Sequence, residues 1–226
     1  MALTGVIRPG HCQLRVLDLN EAERFYTDVM GLQPMGRDAS GRSYFKCLDE
    51  RDHASLILRQ ADRAGMDFYG FKVRDAGTLE KLESDLRSYG VATERVPAGE
   101  LTETGERVRF QAPTGHVFEL YAHKRDVGNG LGYLNPEAII DPRRGISPTR
   151  LDHWQVHGPD LDGSRDLFCN VLGFSLVERI LAEDGRTDVG VWLSCSTKAH
   201  DIAFVRDERS NTLHHASFLL ATWEQV

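Results

Sequence analysis

Two of the nine histidines in this 226-residue chain occupy matching places in a sequence that repeats itself. His153 and His215 each lie in a short segment that alternates polar and apolar side chains, as a strand with one buried face does. Gln155 shares the face of His153, while Trp154 and Val156 take the other; Ser217 shares the face of His215, while Ala216, Phe218 and Leu220 take the other. With the apolar faces turned to a core, the two imidazoles look out from equivalent strands and can converge. A lone strand histidine is more often a hydrogen-bonded core group, and the pairing distinguishes these two. Two imidazoles and one carboxylate on one face form the donor set of a non-haem iron(II) centre with open positions.

The other histidines are weaker candidates. His200 precedes the apolar run Ile202 to Val205 and can reach the same pocket as an acid or base, because histidine titrates near neutrality. Alternation puts His214 on the apolar face with Ala216 and Phe218, in a structural or supporting role. His11 is the repeat counterpart of His153, but Phe68 stands where the other copy has His215, so His11 reads as a relic or a hydrogen-bonded core group. His53, His116, His123 and His157 read as turn or surface residues. The carboxylate is missing from this set. Glu119 closes the first repeat after the turn Pro113-Thr-Gly-His, and its counterpart would fall near position ~266. The third ligand, a carboxylate, is therefore expected beyond Val226, and the chain is expected to be a C-terminally truncated fragment.

The elements that must position these residues follow from the repeat. His11-Cys-Gln-Leu-Arg-Val lies over His153-Trp-Gln-Val-His-Gly at an offset of 142, and Gly31 then meets Gly173 as a helix-ending glycine. Arg51 to Arg59 falls over Lys198 to Arg206 with a five-residue insertion in the second copy, and Asp67 to Val73 falls over His214 to Leu220. Modules begin near residues 9, 66, 151 and 213, each reading strand, helix, further strands. The expected organisation is an α+β fold: residues 1–127 as one two-module domain without a metal site, 128–149 as a connection, and 150–226 as a catalytic domain whose fourth module is incomplete.

Composition excludes several function classes. A net charge of −7 with no basic stripe argues against nucleic acid. No apolar run approaches the ~20 residues that cross a bilayer, and Met1 to Gly10 has no apolar core of a signal peptide. Cys12, Cys47, Cys169 and Cys195 form no C-x-x-C pair and read as buried free thiols. These features point to a cytoplasmic protein with a small-molecule partner.

The stretches Arg8-Pro-Gly-His-Cys-Gln-Leu-Arg-Val-Leu-Asp, Gly65-Met-Asp-Phe-Tyr-Gly-Phe-Lys-Val, Arg107-Val-Arg-Phe-Gln-Ala-Pro-Thr-Gly-His, Ser196-Thr-Lys-Ala-His-Asp and Leu213-His-His-Ala-Ser-Phe closely resemble catechol 2,3-dioxygenases. These are type I extradiol enzymes of the vicinal oxygen chelate superfamily, and the resemblance spans the whole chain. It implies paired βαβββ modules and Fe(II) held by His153 and His215. It also implies His200 as the active-site histidine, Trp192 as an aromatic position near the substrate, and a ligand glutamate past Val226. Further implications are a catechol-type substrate, O2 as co-substrate, a 2-hydroxymuconic semialdehyde as product, and a homotetramer. Three other readings stay open within the same fold: a glyoxalase-type isomerase, a metal-free small-molecule-binding protein, and an inactive fragment of the dioxygenase.

Overall fold

The computed structural model describes residues 5–128 and 144–225. Most of the expected connection at 128–149 lies outside these residues. Among the described residues, thirteen strands and three α-helices follow the order that the repeat predicts. The first module is β1 (Val6–Val16), α1 (Leu19–Arg24, continued by a π-helical turn over Phe25–Val29), β2 (Gln33–Arg37), β3 (Ser43–Lys46) and β4 (Leu56–Gln60). The second is β5 (Gly65–Val73), α2 (Ala76–Ser88), β6 (Thr93–Val96), β7 (Arg107–Gln111) and β8 (Val117–Tyr121). The third is β9 (Arg150–Gly158), α3 (Leu161–Asn170), β10 (Ser175–Leu181), β11 (Asp188–Ser194) and β12 (Ile202–Arg206); β13 (Thr212–Leu219) and a 3-10 turn at Trp223–Gln225 follow.

Each helix starts on an aspartate that accepts a hydrogen bond from the backbone N–H three residues on: Asp18 from Glu21, Asp75 from Thr78 and Asp160 from Gly163. The two helix-ending glycines, Gly31 and Gly173, have φ of 72° and 76°, the left-handed conformation that the repeat assigns to them. Within a module the first and last strands pair in parallel (β1 with β4, β5 with β8, β9 with β12) and the strands between are antiparallel. Modules then join through their first strands, β1 with β5 and β9 with β13, both antiparallel. The result is an eight-stranded sheet, β2-β3-β4-β1-β5-β8-β7-β6, and a five-stranded sheet, β10-β11-β12-β9-β13. This is the α+β, βαβββ architecture expected from the sequence.

The apolar faces of the two sheets share one core. Phe71 meets Trp154 at a ring-centroid distance of 5.1 Å, and Phe118 meets Phe168 at 5.0 Å. Edge-to-face geometries of this kind add to the area that the rings bury. His116, expected at the surface, is fully buried at this junction. Its two ring nitrogens bond Thr114 Oγ1 at 3.0 Å and the Thr212 carbonyl at 3.2 Å, tying β13 to the first sheet. His53 is likewise buried. The turn residues around both histidines conceal that packing in the sequence. Cys12, Cys47 and Cys195 are buried free thiols and Cys169 is half-buried and free.

Strand register corrects the alignment of the last strand in each module. Cys12 faces Leu56 in the first copy and Trp154 faces Ile202 in the third, so the insertion before β12 is four residues, not five. His200 therefore answers to Ala54, and the His53/His200 match is coincidental. The buried positions Leu56 and Ile202 fix the register, since a one-residue slip would turn each strand's apolar set to the wrong face.

Candidate metal centre

Residues directly opposite one another on neighbouring strands share a sheet face. Trp192 on β11 faces Ala203 on β12, Ala203 faces Gln155 on β9, and Gln155 faces His215 on β13. His153 faces Ser217 and lies two residues from Gln155, on the same side. The second sheet thus presents Trp192, Gln155, His153 and His215 on the face away from the core, all half-buried. The Trp192 indole lies against Gly190, where a Cβ would meet it at 3.1 Å.

His153 Nε2 and His215 Nε2 converge to 3.3 Å. Two cis nitrogen ligands bound at roughly 2.1 Å stand about 3.0 Å apart, so the pair is spaced for a single ion. Both Nδ1 atoms are turned away and bonded: His153 Nδ1 to Asp152 Oδ2 at 2.7 Å, and His215 Nδ1 to His214 Nδ1 at 2.8 Å. The His200 ring stands 4.2 Å from that of His153, edge to face. Burial, and then the charge that neighbouring imidazoles would carry, hold His200 and His215 below the ordinary histidine value. Neutral imidazole is the ligating form. Burial pushes the Asp152 carboxyl up, but His153 and Lys198 outweigh it and hold it down to about 2. The donor chemistry therefore fits two of the three ligands of an iron(II)-type site. Among the described residues, no group of three His, Cys, Asp or Glu side chains is arranged to hold a metal ion.

His214 departs from the alternation reading. The register skips it between Leu213 and His215, so the strand bulges there and His214 stays on the open face, stacked on His157 at 5.0 Å. His157, expected at the surface, belongs to the same face, with its Nε2 3.0 Å from Gln155 Nε2. Asp152 carries no signal in the sequence beyond its place beside His153.

The equivalent point of the first sheet is closed. His11 is fully buried, with Nε2 3.4 Å from Glu119 Oε2 and Nδ1 3.0 Å from Lys124 Nζ. Phe68 stands across from Gln13, as His215 stands across from Gln155, and packs with Tyr44, Ala54, Ile57 and Leu101. Arg107 Nε and Arg109 Nη2 bond the two Glu119 oxygens at 2.9 and 2.6 Å. Guanidinium groups here neutralise the carboxylate. Burial, then Lys124, push His11 down to about 3, and burial pushes His116 down to about 4. In the unfolded chain both titrate near ~6.5. Their depressed folded values contribute stability that is complete above about pH 6.5 and is lost as the pH falls through the folded values. Urea midpoints followed by tryptophan fluorescence are expected to drop between about pH 7 and about pH 5, and His116→Gln is expected to flatten that slope.

Comparison with known proteins agrees with this architecture. Residues 66–125 match the family described as Catechol 2,3-dioxygenase-like N-terminal domain. Residues 150–226 match the Glyoxalase/Bleomycin resistance protein/Dioxygenase superfamily, in agreement with the βαβββ modules. The chain is 50% identical to metapyrocatechase from Pseudomonas sp. (strain CF600), over 98% of this chain and 72% of that protein. It is 26% identical to the manganese-dependent 2,3-dihydroxybiphenyl 1,2-dioxygenase of Geobacillus genomosp. 3, over 93% of this chain and 68% of that protein. The crystal structure of the 2,3-dioxygenase LapB from Pseudomonas sp. KL28 superposes with a TM-score of 0.95 at 56% identity, covering 99% of this chain and 78% of that one. The chain belongs to the catechol 2,3-dioxygenase, or metapyrocatechase, family of extradiol dioxygenases. Among the described residues, no helix is long and apolar enough to cross a membrane.

Proposed function

We propose that this protein opens the ring of catechol or a substituted catechol beside its two hydroxyls, consuming O2 at a non-haem Fe(II) ion and giving a 2-hydroxymuconic semialdehyde. The observation that carries the reading is the 3.3 Å convergence of His153 Nε2 and His215 Nε2 in a chain 50% identical to a metapyrocatechase. His153 and His215 would hold the ion, with a glutamate expected beyond Val226 as third donor. Bound there, the ion would supply Lewis acidity and a template for both reactants.

The chain's own residues do the rest. Two neutral imidazoles leave the site a net positive charge that favours a catecholate. His200, one ring away from His153, takes the proton that a catechol hydroxyl loses and returns it later, or stabilises negative charge as it develops. Trp192 offers an indole to the aromatic ring from the far side of the same face. A cytoplasmic location and a homo-oligomeric assembly go with this reading on family likeness.

The test is an assay on the 226-residue chain and on the chain carried through the C-terminal length that its relatives have. Protein loaded anaerobically with Fe(II) and given catechol is expected to turn yellow on admission of air. No colour from folded, iron-loaded protein across several catechols would overturn the reading. Colour with Mn(II) and none with Fe(II) would overturn the choice of metal alone.

A further inference from the structure

β9 and β13 each bulge one residue before the histidine that faces the site. The pairing skips Asp152 between Leu151 and His153, and skips His214 between Leu213 and His215. In a regular strand neighbouring side chains point to opposite faces and cannot meet. A bulge re-aims one of them, and here each re-aimed side chain bonds Nδ1 of the histidine that follows.

We propose that Asp152 is a positioning residue that keeps the ring hydrogen of His153 on Nδ1, leaving Nε2 a lone pair for the metal. This rests on the reading of His153 as a ligand. An ionised carboxylate only accepts, so the 2.7 Å contact makes Nδ1 the donor and fixes the tautomer. Asp152 is itself anchored. Lys198 Nζ donates to Asp152 Oδ1 at 3.0 Å and to the Asp152 carbonyl, and pairs with Asp201 Oδ1 at 3.0 Å. Asp201, fully buried, accepts the backbone N–H groups of Cys195 and Ser196, which locks the loop that carries Lys198.

The first sheet supplies an internal control. The residue before His11 is Gly10, skipped by the β1–β5 pairing as Asp152 is skipped between β9 and β13. A Cβ at Gly10 would land on the Tyr121 hydroxyl, so no carboxylate fits there. Lys124 takes the Nδ1 side of His11 instead. Glu119, a carboxylate paired with Arg107 and Arg109, only accepts, so Nε2 of His11 carries the hydrogen directed at Glu119 Oε2, and Nδ1 is the lone pair that Lys124 Nζ meets. The two equivalent histidines thus hold opposite tautomers, and the one with the carboxylate partner has its metal-facing nitrogen free.

Nitrogen-15 NMR of the metal-free, histidine-labelled full chain reads the tautomers directly. The expected spectrum has His153 protonated on Nδ1 and His11 on Nε2; His153 protonated on Nε2 would overturn the proposal with no variant needed. In Asp152→Ala and Asp152→Asn, His153 is expected to shift toward the Nε2–H form. Mn(II) affinity, read by electron paramagnetic resonance, is expected to fall roughly 10- to 100-fold. An unchanged tautomer with less than a twofold change in Mn(II) affinity would overturn it. His153→Ala separates the two levels: Mn(II) affinity that survives that substitution sinks the ligand reading, whereas affinity lost in His153→Ala and intact in both Asp152 variants sinks the positioning role alone.

Discussion

His153→Ala is expected to abolish stoichiometric metal binding and to lower ring-cleaving turnover by on the order of 10³-fold or more. The size follows from what the residue would do. One of two imidazole donors disappears, and the remaining one, His215, has a single nitrogen facing the site. Without the ion nothing in the open face joins a catechol to O2. The fold is expected to survive, because His153 is half-buried on the face away from the core, where its ring contacts are with His200 and His215. Metal analysis of the purified variant checks the first expectation, oxygen uptake checks the second, and an unchanged thermal midpoint separates both from unfolding. Full iron content in folded His153→Ala would contradict the assignment.

Glu119→Leu is expected to cost about 3–5 kcal/mol of stability, a large part of the ~5–15 kcal/mol typical of a domain. Glu119 is fully buried and faces Arg107, also fully buried, together with Arg109 and His11. Removing the anion leaves the Arg107 guanidinium buried with its Nε charge uncompensated, and the exposed partner Glu100 reaches only one end of it. The double variant Arg107→Met/Glu119→Leu is expected to recover much of the loss, because replacing both members of a buried ion pair with apolar groups is often near neutral. Urea denaturation of the two variants and the parent measures this directly. A single variant as stable as the parent would show that the first-sheet network is solvated, contrary to the closed packing around His11.

These two expectations concern equivalent places in the two sheets: His153 in one, and in the other the Glu119 carboxylate that reaches its counterpart His11. The repeat was legible because core positions recur: His11 over His153, Gly31 over Gly173 and Phe68 over His215 are matches that strand pairing reproduces. What alternation could not show was any departure from strict period two. The bulges at Asp152 and His214 break that period, so strict alternation puts His214 on the apolar face and gives Asp152 no role, although its carboxylate reaches His153. The burial of His116 is hidden in the sequence for a different reason. His116 sits beside a Pro-Thr-Gly turn, which reads as surface, but that turn is covered by β13 through Thr212 and by α3 through Ser164. The fifth inserted residue before β12 arose from the chance match of His53 with His200, which the buried register overrules.

One metal ion is expected in the second sheet, held by His153 and His215, and none at the equivalent place in the first sheet. Anomalous diffraction at the iron edge from crystals of the Fe(II)-loaded protein, grown without oxygen, tests it most directly. A single peak is expected about 2.1 Å from both His153 Nε2 and His215 Nε2, with no peak between His11 and Glu119. A peak at the His11–Glu119 position, or one that touches neither His153 nor His215, would contradict it.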